Sequence, residues 1–243
     1  MIRLDYLRAA ACILAMASLP ATAHAAPGLG DEVYGATVEP HEIEIETRYG
    51  ILASGPDAGE ENFRLEVAYG ITGHTRIAAL AEFEKEPGSA RKLEAISFEV
   101  VQNVARIGPI DVALYGEFEA VTGGTDKAEG KLLLEYRDRI TDVRFNLKAA
   151  KPLRAGAQLE LGYAASADVS VADNLRLGVA AFGDLGTFGR FAPYAEHFAG
   201  PNAKFRINGL GVPLKVETGY LFAFGAAKAD AKGMFRLNLE VEL

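Results

Sequence analysis

Charged side chains at every second position are the feature of this chain that bears most directly on chemistry. Glu42, Glu44 and Glu46 alternate with apolar residues early in the chain, and Arg236 and Glu240 do so near its end. Alternate side chains of a β-strand share one face, so this spacing predicts rows of charges along one side of a sheet. Such rows either line a water-filled passage or pair across strands and fill the interior. The pattern alone leaves both alternatives open.

Serine and histidine residues give little support to catalysis. None forms a Gly-x-Ser-x-Gly elbow or a His-x-Ser pair, the local patterns that would indicate an activated nucleophile. His197, which follows Glu196, is the best candidate, and a barrel-embedded lipid or ester hydrolase is the hypothesis it supports. We predict that the protein is not an enzyme and has no catalytic residue. The residues considered beyond position 25 are His41, His74, His197, Ser54, Ser89, Ser97, Ser166 and Ser170.

Metal and cofactor sites are not predicted either. The chain has one cysteine, Cys12, and no His-x-x-x-His spacing. The carboxylates of Glu42, Glu44 and Glu46 indicate a solvated strand face, with a weak cation site at a barrel mouth as the alternative. The glycines at 123–124 and 209–211 lack the strand-to-helix context of a phosphate-binding loop.

The first 25 residues have the pattern of a secretory signal peptide. Arg3 and Arg8 precede an apolar run over 9–19, and Ala23-His24-Ala25 is an Ala-x-Ala cleavage site. Cleavage after Ala25 removes Arg3, Arg8 and Asp5, which leaves 23 basic and 32 acidic residues, a net charge of −9. This acidic balance argues against binding to nucleic acid. We therefore predict export through the periplasm and an N-terminal periplasmic segment over 26–41.

Alternating segments cover most of residues 42–243 and predict about twelve antiparallel strands. Many are near ten residues long, the length that a tilted membrane-crossing strand requires. A soluble barrel or sandwich with its apolar face inward alternates in the same way. The strand lengths and the export signal favour an up-and-down transmembrane β-barrel in the outer membrane. The predicted strands are 42–53, 62–72, 75–85, 93–104, 110–121, 129–137, 141–150, 156–166, 174–184, 191–199, 213–225 and 233–243, with the assignment of 201–211 left open.

The barrel prediction assigns faces and ends. Short connections should lie at the periplasmic end and longer loops at the exterior. Aromatic residues near strand ends, such as Tyr49, Tyr163 and Phe224, are interpreted as interfacial girdle residues. The polar face should line the lumen. The candidate lumen-lining residues are Glu44, Arg48, Arg64, Glu66, Arg76, Glu117, Glu135, Arg137, Arg144, Glu160, Arg176, Glu217, Arg236 and Glu240.

Several segments resemble the meta-pathway phenol-degradation family of outer-membrane transporters. The resemblance is to uncharacterised proteobacterial barrels of this group and covers about 38–243. It implies an outer-membrane location and uptake or efflux of small molecules, and it carries over no catalytic residue. The segments that carry it are 38–46 (VEPHEIEIE), 69–72 (YGIT), 110–117 (IDVALYGE), 197–201 (HFAGP) and 219–224 (GYLFAF).

The predicted partners follow from the same reading. Outer-membrane lipid would surround the barrel, and a small-molecule solute would pass through its lumen. The barrel assembly machinery would recognise the C-terminal strand. That strand ends in Leu243, where outer-membrane barrels usually end in an aromatic residue. We predict a monomer with a passive pore or transporter function, and a structural envelope barrel without transport is the alternative.

Overall fold

The computed structural model of the chain describes residues 26–208 and 211–243 and contains twelve β-strands. The predicted signal peptide lies outside the described residues. One short 3₁₀ helix, Ala226–Ala229, precedes the last strand. The strands are β1 Ile43–Ala53, β2 Glu61–Thr72, β3 Thr75–Lys85, β4 Lys92–Ile107, β5 Ile110–Val121, β6 Lys127–Arg137, β7 Thr141–Pro152, β8 Glu160–Ala172, β9 Leu175–Thr187, β10 Arg190–Ile207, β11 Leu214–Gly225 and β12 Gly233–Glu242.

The strands form one closed antiparallel barrel in which each strand pairs with its neighbours in the chain. Closure comes from β1 and β12, whose register runs from Glu44 opposite Glu242 to Ala53 opposite Gly233. Leu243 extends this seam, because its N–H donates to the Ile43 carbonyl at 2.8 Å and its carbonyl accepts the Ile43 N–H at 3.1 Å. The prediction of a twelve-stranded up-and-down barrel is confirmed.

The two faces of the wall have opposite character. Apolar side chains such as Val67, Phe98 and Val179 lie on the outside and are 55–57% exposed. Glu46, Glu66 and other charged residues point inward and are buried. A soluble barrel would reverse this arrangement, so the soluble alternative is contradicted. The wall has the surface of a membrane-spanning barrel, and this apolar outside agrees with the outer-membrane prediction.

The two ends of the barrel differ in their connections. One end, here called the turn end, has short connections such as 73–74 and 108–109, whereas the opposite loop end carries 54–60, 86–91, 153–159 and 226–232. Turn 138–140 is held by Asp138, which accepts N–H groups of Ile140 and Thr141 at 2.7 Å. These bonds hold the pKa of the Asp138 carboxyl below its usual value. Among the described residues, no helix is long and apolar enough to cross a bilayer.

Most strand boundaries differ from the predicted ones by one to three residues, and larger differences occur in β8 and β10. Strand β8 begins at Glu160 rather than 156, because residues 153–159 form a loop despite their alternating pattern. Strand β10 extends through residue 207, so residues 201–207 of the segment left open in the sequence continue the preceding strand. Strand β4 likewise reaches Ile107 and leaves a two-residue turn at 108–109. None of these differences changes the strand count.

Candidate functional site

Residues 26–38 lie inside the barrel and form what is here called the lumen segment. It has no strand or helix of its own, yet Leu29, Tyr34 and Ala36 are almost completely buried. Leu29 lies near the loop end, beside Leu52, and the chain reaches the turn end where the His41 N–H donates to the Gly70 carbonyl at 2.7 Å. The sequence predicted an N-terminal periplasmic segment over 26–41, and in the structure the side chains of residues 26–38 pack against the inner wall.

Two glycines of the wall make room for this chain. A Cβ on Gly50 would clash with the Leu29 carbonyl, and a Cβ on Gly70 would clash with the Glu39 carbonyl. Both glycines face inward and lie on β1 and β2, next to the barrel seam. Any larger residue at these positions would push away the backbone at Leu29 or at Glu39. The wall and the segment are therefore shaped to fit each other.

Apolar contacts anchor the segment near the loop end. Leu29 and Val33 belong to a buried cluster with Phe182, Phe198 and Met234 of the wall. Burial of each such side chain stabilises a packed state by roughly 1.5–3 kcal/mol. This cluster gives the barrel an apolar core on one side of its interior, which an empty polar channel would not contain.

Tyr34 anchors the middle of the segment. Its ring lies 4.8 Å from the Tyr115 ring, and the Lys131 ammonium lies 4.3 Å and 4.0 Å from the centres of these two rings. Its hydroxyl donates to Glu99 at 2.9 Å and accepts from Arg48 at 3.2 Å. Stacking, cation–π attraction and two hydrogen bonds to charged groups therefore converge on one side chain.

Side chains of the wall also satisfy the backbone of the segment. Asn146 accepts the Tyr34 N–H at 2.7 Å and donates to the Tyr34 carbonyl at 2.9 Å. Glu135 Oε2 accepts the N–H groups of Ala36 and Thr37 at 2.8 and 3.0 Å. An irregular chain can be buried only when its polar groups find partners. Here side chains of the strands supply the hydrogen-bond partners that the backbone of a helix or sheet would otherwise supply.

Acidic residues of the segment pair with basic residues of the wall. Asp31 lies 3.4 Å from Arg64 and 3.6 Å from Lys148, and its carbonyl accepts from Arg236. Glu32 lies 3.8 Å from Arg48. The segment thus places two carboxylates among cations from four strands of the barrel. A solute in an unobstructed lumen would have to pass through this region.

The structure places all fourteen predicted lumen residues on the inward face, and whether a solute contacts them stays a prediction. Most of them form ion pairs across strands. Arg76 pairs with Glu44 at 2.9 Å and also with Glu66, and Arg64 pairs with Glu82 at 2.9 Å. The other members of the set are Arg48, Glu117, Glu135, Arg137, Arg144, Glu160, Arg176, Glu217, Arg236 and Glu240.

Sequence reasoning missed the residues that bind the lumen segment most specifically. Tyr34, Glu99, Lys131 and Asn146 were not among the candidates. Glu99 and Lys131 lie on predicted strands, and their strand parity would have identified them as inward-facing. Tyr34 lies outside the alternating region, so no periodic signal pointed to it.

Two cavities flank the lumen segment. One of about 150 Å³ opens at the turn end and is lined by Thr37, Arg76 and Glu240, among others. A smaller one of about 20 Å³ lies beside Val33 and Arg236. Pockets that hold small organic molecules usually measure ~300–1,000 Å³. With the segment in place, these two spaces hold water more readily than a solute.

The acidic cluster and the histidines do not form alternative sites. Carboxylate oxygens of Glu32, Glu46 and Glu66 lie within 4.8 Å of one another, as in a metal site. The Arg48 guanidinium contacts all three carboxylates and supplies the positive charge that a metal ion would otherwise supply. His197 lies 3.1 Å from the Tyr163 hydroxyl. Strand parity puts its ring on the outer face, because the adjacent Phe198 is buried inside.

Comparisons with known proteins show the fold. No protein-family model matches the chain, and no curated protein matches it. The NanC porin has a TM-score of 0.59 at 9% identity, over 82% of this chain and 98% of that one. The KdgM porin has a TM-score of 0.57 at 8% identity, over 82% and 99%. An outer membrane channel from Pseudomonas putida F1 has a TM-score of 0.56 at 9% identity, over 90% and 99%.

These similarities define the class. The chain has the fold of outer-membrane porins and channels, and its apolar outer wall agrees with a position in the bacterial outer membrane. The resemblance to the meta-pathway phenol-degradation family stays a prediction.

Proposed function

We propose that this protein is an outer-membrane pore or transporter for small molecules. The observation that carries the proposal is that rows of charged side chains line much of the inner face of a closed barrel whose outer face is apolar. The paired charges alone do not fill the barrel. Here the interior is wide enough to hold a peptide segment together with two cavities of about 20 and 150 Å³.

The charge pattern supports a class of solute. Acidic residues stand directly opposite each other on neighbouring strands at Glu99, Glu117 and Glu129. One KdgM porin structure is a complex with disordered oligogalacturonate. In the present barrel, the adjacent carboxylates would repel a polyanion of that kind. We therefore propose neutral and cationic small molecules as the solutes.

The test is single-channel recording from the purified full-length protein in planar bilayers. Discrete openings are expected, together with swelling of liposomes in small neutral sugars. A preparation that is folded, as judged by heat-modifiable gel mobility, but gives neither openings nor swelling would contradict the proposal. Heat-denatured protein in the same detergent is the control.

A structural envelope barrel is the second candidate, and the lumen segment favours it because the segment fills much of the interior. The same recordings distinguish the two functions. We also propose that the protein is not an enzyme: Ser166 lies on the inner face and His197 on the outer face, so these two cannot form a nucleophile and base pair. Outer-membrane lipid, the assembly machinery and a monomeric state remain our proposals for its partners.

A further inference from the structure

Resting on the proposed function, we propose that the lumen segment is a gate that leaves the lumen when the pore conducts. The described conformation is then the closed state. The segment occupies the barrel from the loop end to the turn end, and its Asp31, Glu32 and Tyr34 contact the charges that would face a solute. A passage for small molecules requires this chain to move.

The barrel does not depend on the segment for its closure. Strands β1 and β12 pair directly over ten residues, and residues 26–38 contribute no strand to any sheet. Withdrawal of the segment would leave every hydrogen bond between neighbouring strands intact. A segment that were part of the wall could not leave without opening the seam.

The interface between segment and wall is incompletely hydrogen-bonded. Glu99 Oε2 is buried there without a hydrogen-bond partner, and Glu32 Oε2, Glu135 Oε1 and Arg48 Nε have only ion-pair contacts of 3.3–3.8 Å. A buried polar atom without a good hydrogen bond raises the free energy of the closed state relative to a state in which water reaches that atom. Movement of the segment would hydrate all four, so the polar interface offsets part of the cost of exposing Leu29 and Val33.

The attachment of the segment provides a pivot. His41 has a φ angle of 66°, a left-handed conformation that is uncommon for residues other than glycine. Its N–H donates to the Gly70 carbonyl, which ties this point to β2 just before β1 begins. Rotation about the residues preceding His41 would swing the segment without disturbing the first strand.

A reversible covalent lock tests the gate. A Cβ on Gly30 would lie 3.2 Å from the Cβ of Asn62, close to the separation of about 3.5–4.5 Å found in disulfides. The native Cys12 lies in the predicted signal peptide, so the pair Gly30→Cys with Asn62→Cys would be the thiols of the mature chain. Each single variant serves as a control for the loss of the native side chain.

A second variant tests the opposite direction. Gly50→Ala would place a methyl group against the Leu29 carbonyl and displace the segment from its closed position. Gly116→Ala is the matched control, because a Cβ there meets only Val100 Cγ1, at an ordinary 3.6 Å. Heat-modifiable gel mobility establishes that each variant forms a barrel before any recording.

Ion current through planar bilayers is the readout. We expect the oxidised double variant to pass at least ten-fold less current than the same protein after reduction, and Gly50→Ala to exceed Gly116→Ala in open probability. Equal currents from the oxidised and reduced protein would overturn the gate and leave the pore intact. An absence of current from every variant would overturn the proposed function, and the gate with it.

Discussion

Tyr34 contacts side chains from several strands in the interior of the barrel. It stacks on Tyr115, lies beneath the Lys131 ammonium and bonds to Glu99 and Arg48. These partners come from strands on one half of the wall, so a single side chain of the lumen segment links several strands. Loss of its hydroxyl would leave a buried carboxylate without this donor.

Tyr34→Phe should therefore lower the free energy of unfolding by about 1–3 kcal/mol, the usual cost of an unpaired buried polar group. The ring and its packing remain, so the change isolates the hydrogen bonds. Urea titration in lipid vesicles, followed by gel mobility, measures the effect. Tyr136→Phe is the control, because the Tyr136 hydroxyl donates to Asp138 at the exposed turn. An equal loss in both variants would show that the Tyr34 network adds no stability.

Acidic residues in direct cross-strand register predict the ion selectivity of the lumen. The pairs Glu99–Glu117 and Glu117–Glu129 place three carboxylates side by side on β4, β5 and β6. We expect a potassium-over-chloride preference in a salt gradient, which should weaken above ~0.5 M salt because ions screen the charges.

The double variant Glu99→Gln with Glu117→Gln should shift the reversal potential toward zero, with Asp138→Asn at the exposed turn as a control of equal charge type. Chloride preference in the native protein would contradict this account of the interior.

At the scale of elements, the periodicity of the sequence predicted the strands of the barrel well but did not predict the segment that occupies its interior. Strands such as β1 and β5 were located to within a residue. A one-residue slip would turn every apolar side chain inward, and the cost of that slip fixes the register. The shifted start of β8 shows the limit of this signal, since residues 153–159 alternate as a strand does but lie in a loop.

The lumen segment could not have been predicted from periodicity. Leu29, Val33, Tyr34 and Val38 follow no strand or helix spacing, because each binds a different part of a curved wall. The inward charges were identifiable by parity, but their partners depend on which strands close the barrel. Contacts such as that of Asn146 with the Tyr34 backbone therefore required the three-dimensional structure.

The last strand carries a prediction about assembly. Leu243 pairs with Ile43 at the seam, and its exposed side chain continues the apolar outer face of β12. A terminal phenylalanine would fit the same exposed position, so Leu243→Phe should leave insertion unchanged or improve it. The heat-modifiable fraction in isolated outer membranes measures insertion. A clear loss of folded barrel would show that this terminus is not an assembly signal.

At the scale of the whole molecule, one physical assignment underlies every proposal: hydrocarbon surrounds the aliphatic face of the wall, and the charged face encloses a hydrated interior. The charges would destabilise the protein if they met lipid, at about 2–4 kcal/mol for each Arg or Lys at mid-depth. The closed seam, the buried ion pairs and the position of the lumen segment all agree with this assignment.

Fluorescence quenching by brominated lipid tests it most directly. The chain contains no tryptophan, so Phe98→Trp on the outer face and Tyr115→Trp on the inner face each introduce a single tryptophan, whose emission can be excited selectively at about 295 nm or longer wavelengths. We predict strong quenching at position 98, where the native side chain is 55% exposed, and protection at position 115, where it is 4% exposed. Quenching at position 115 with protection at position 98 would contradict the account.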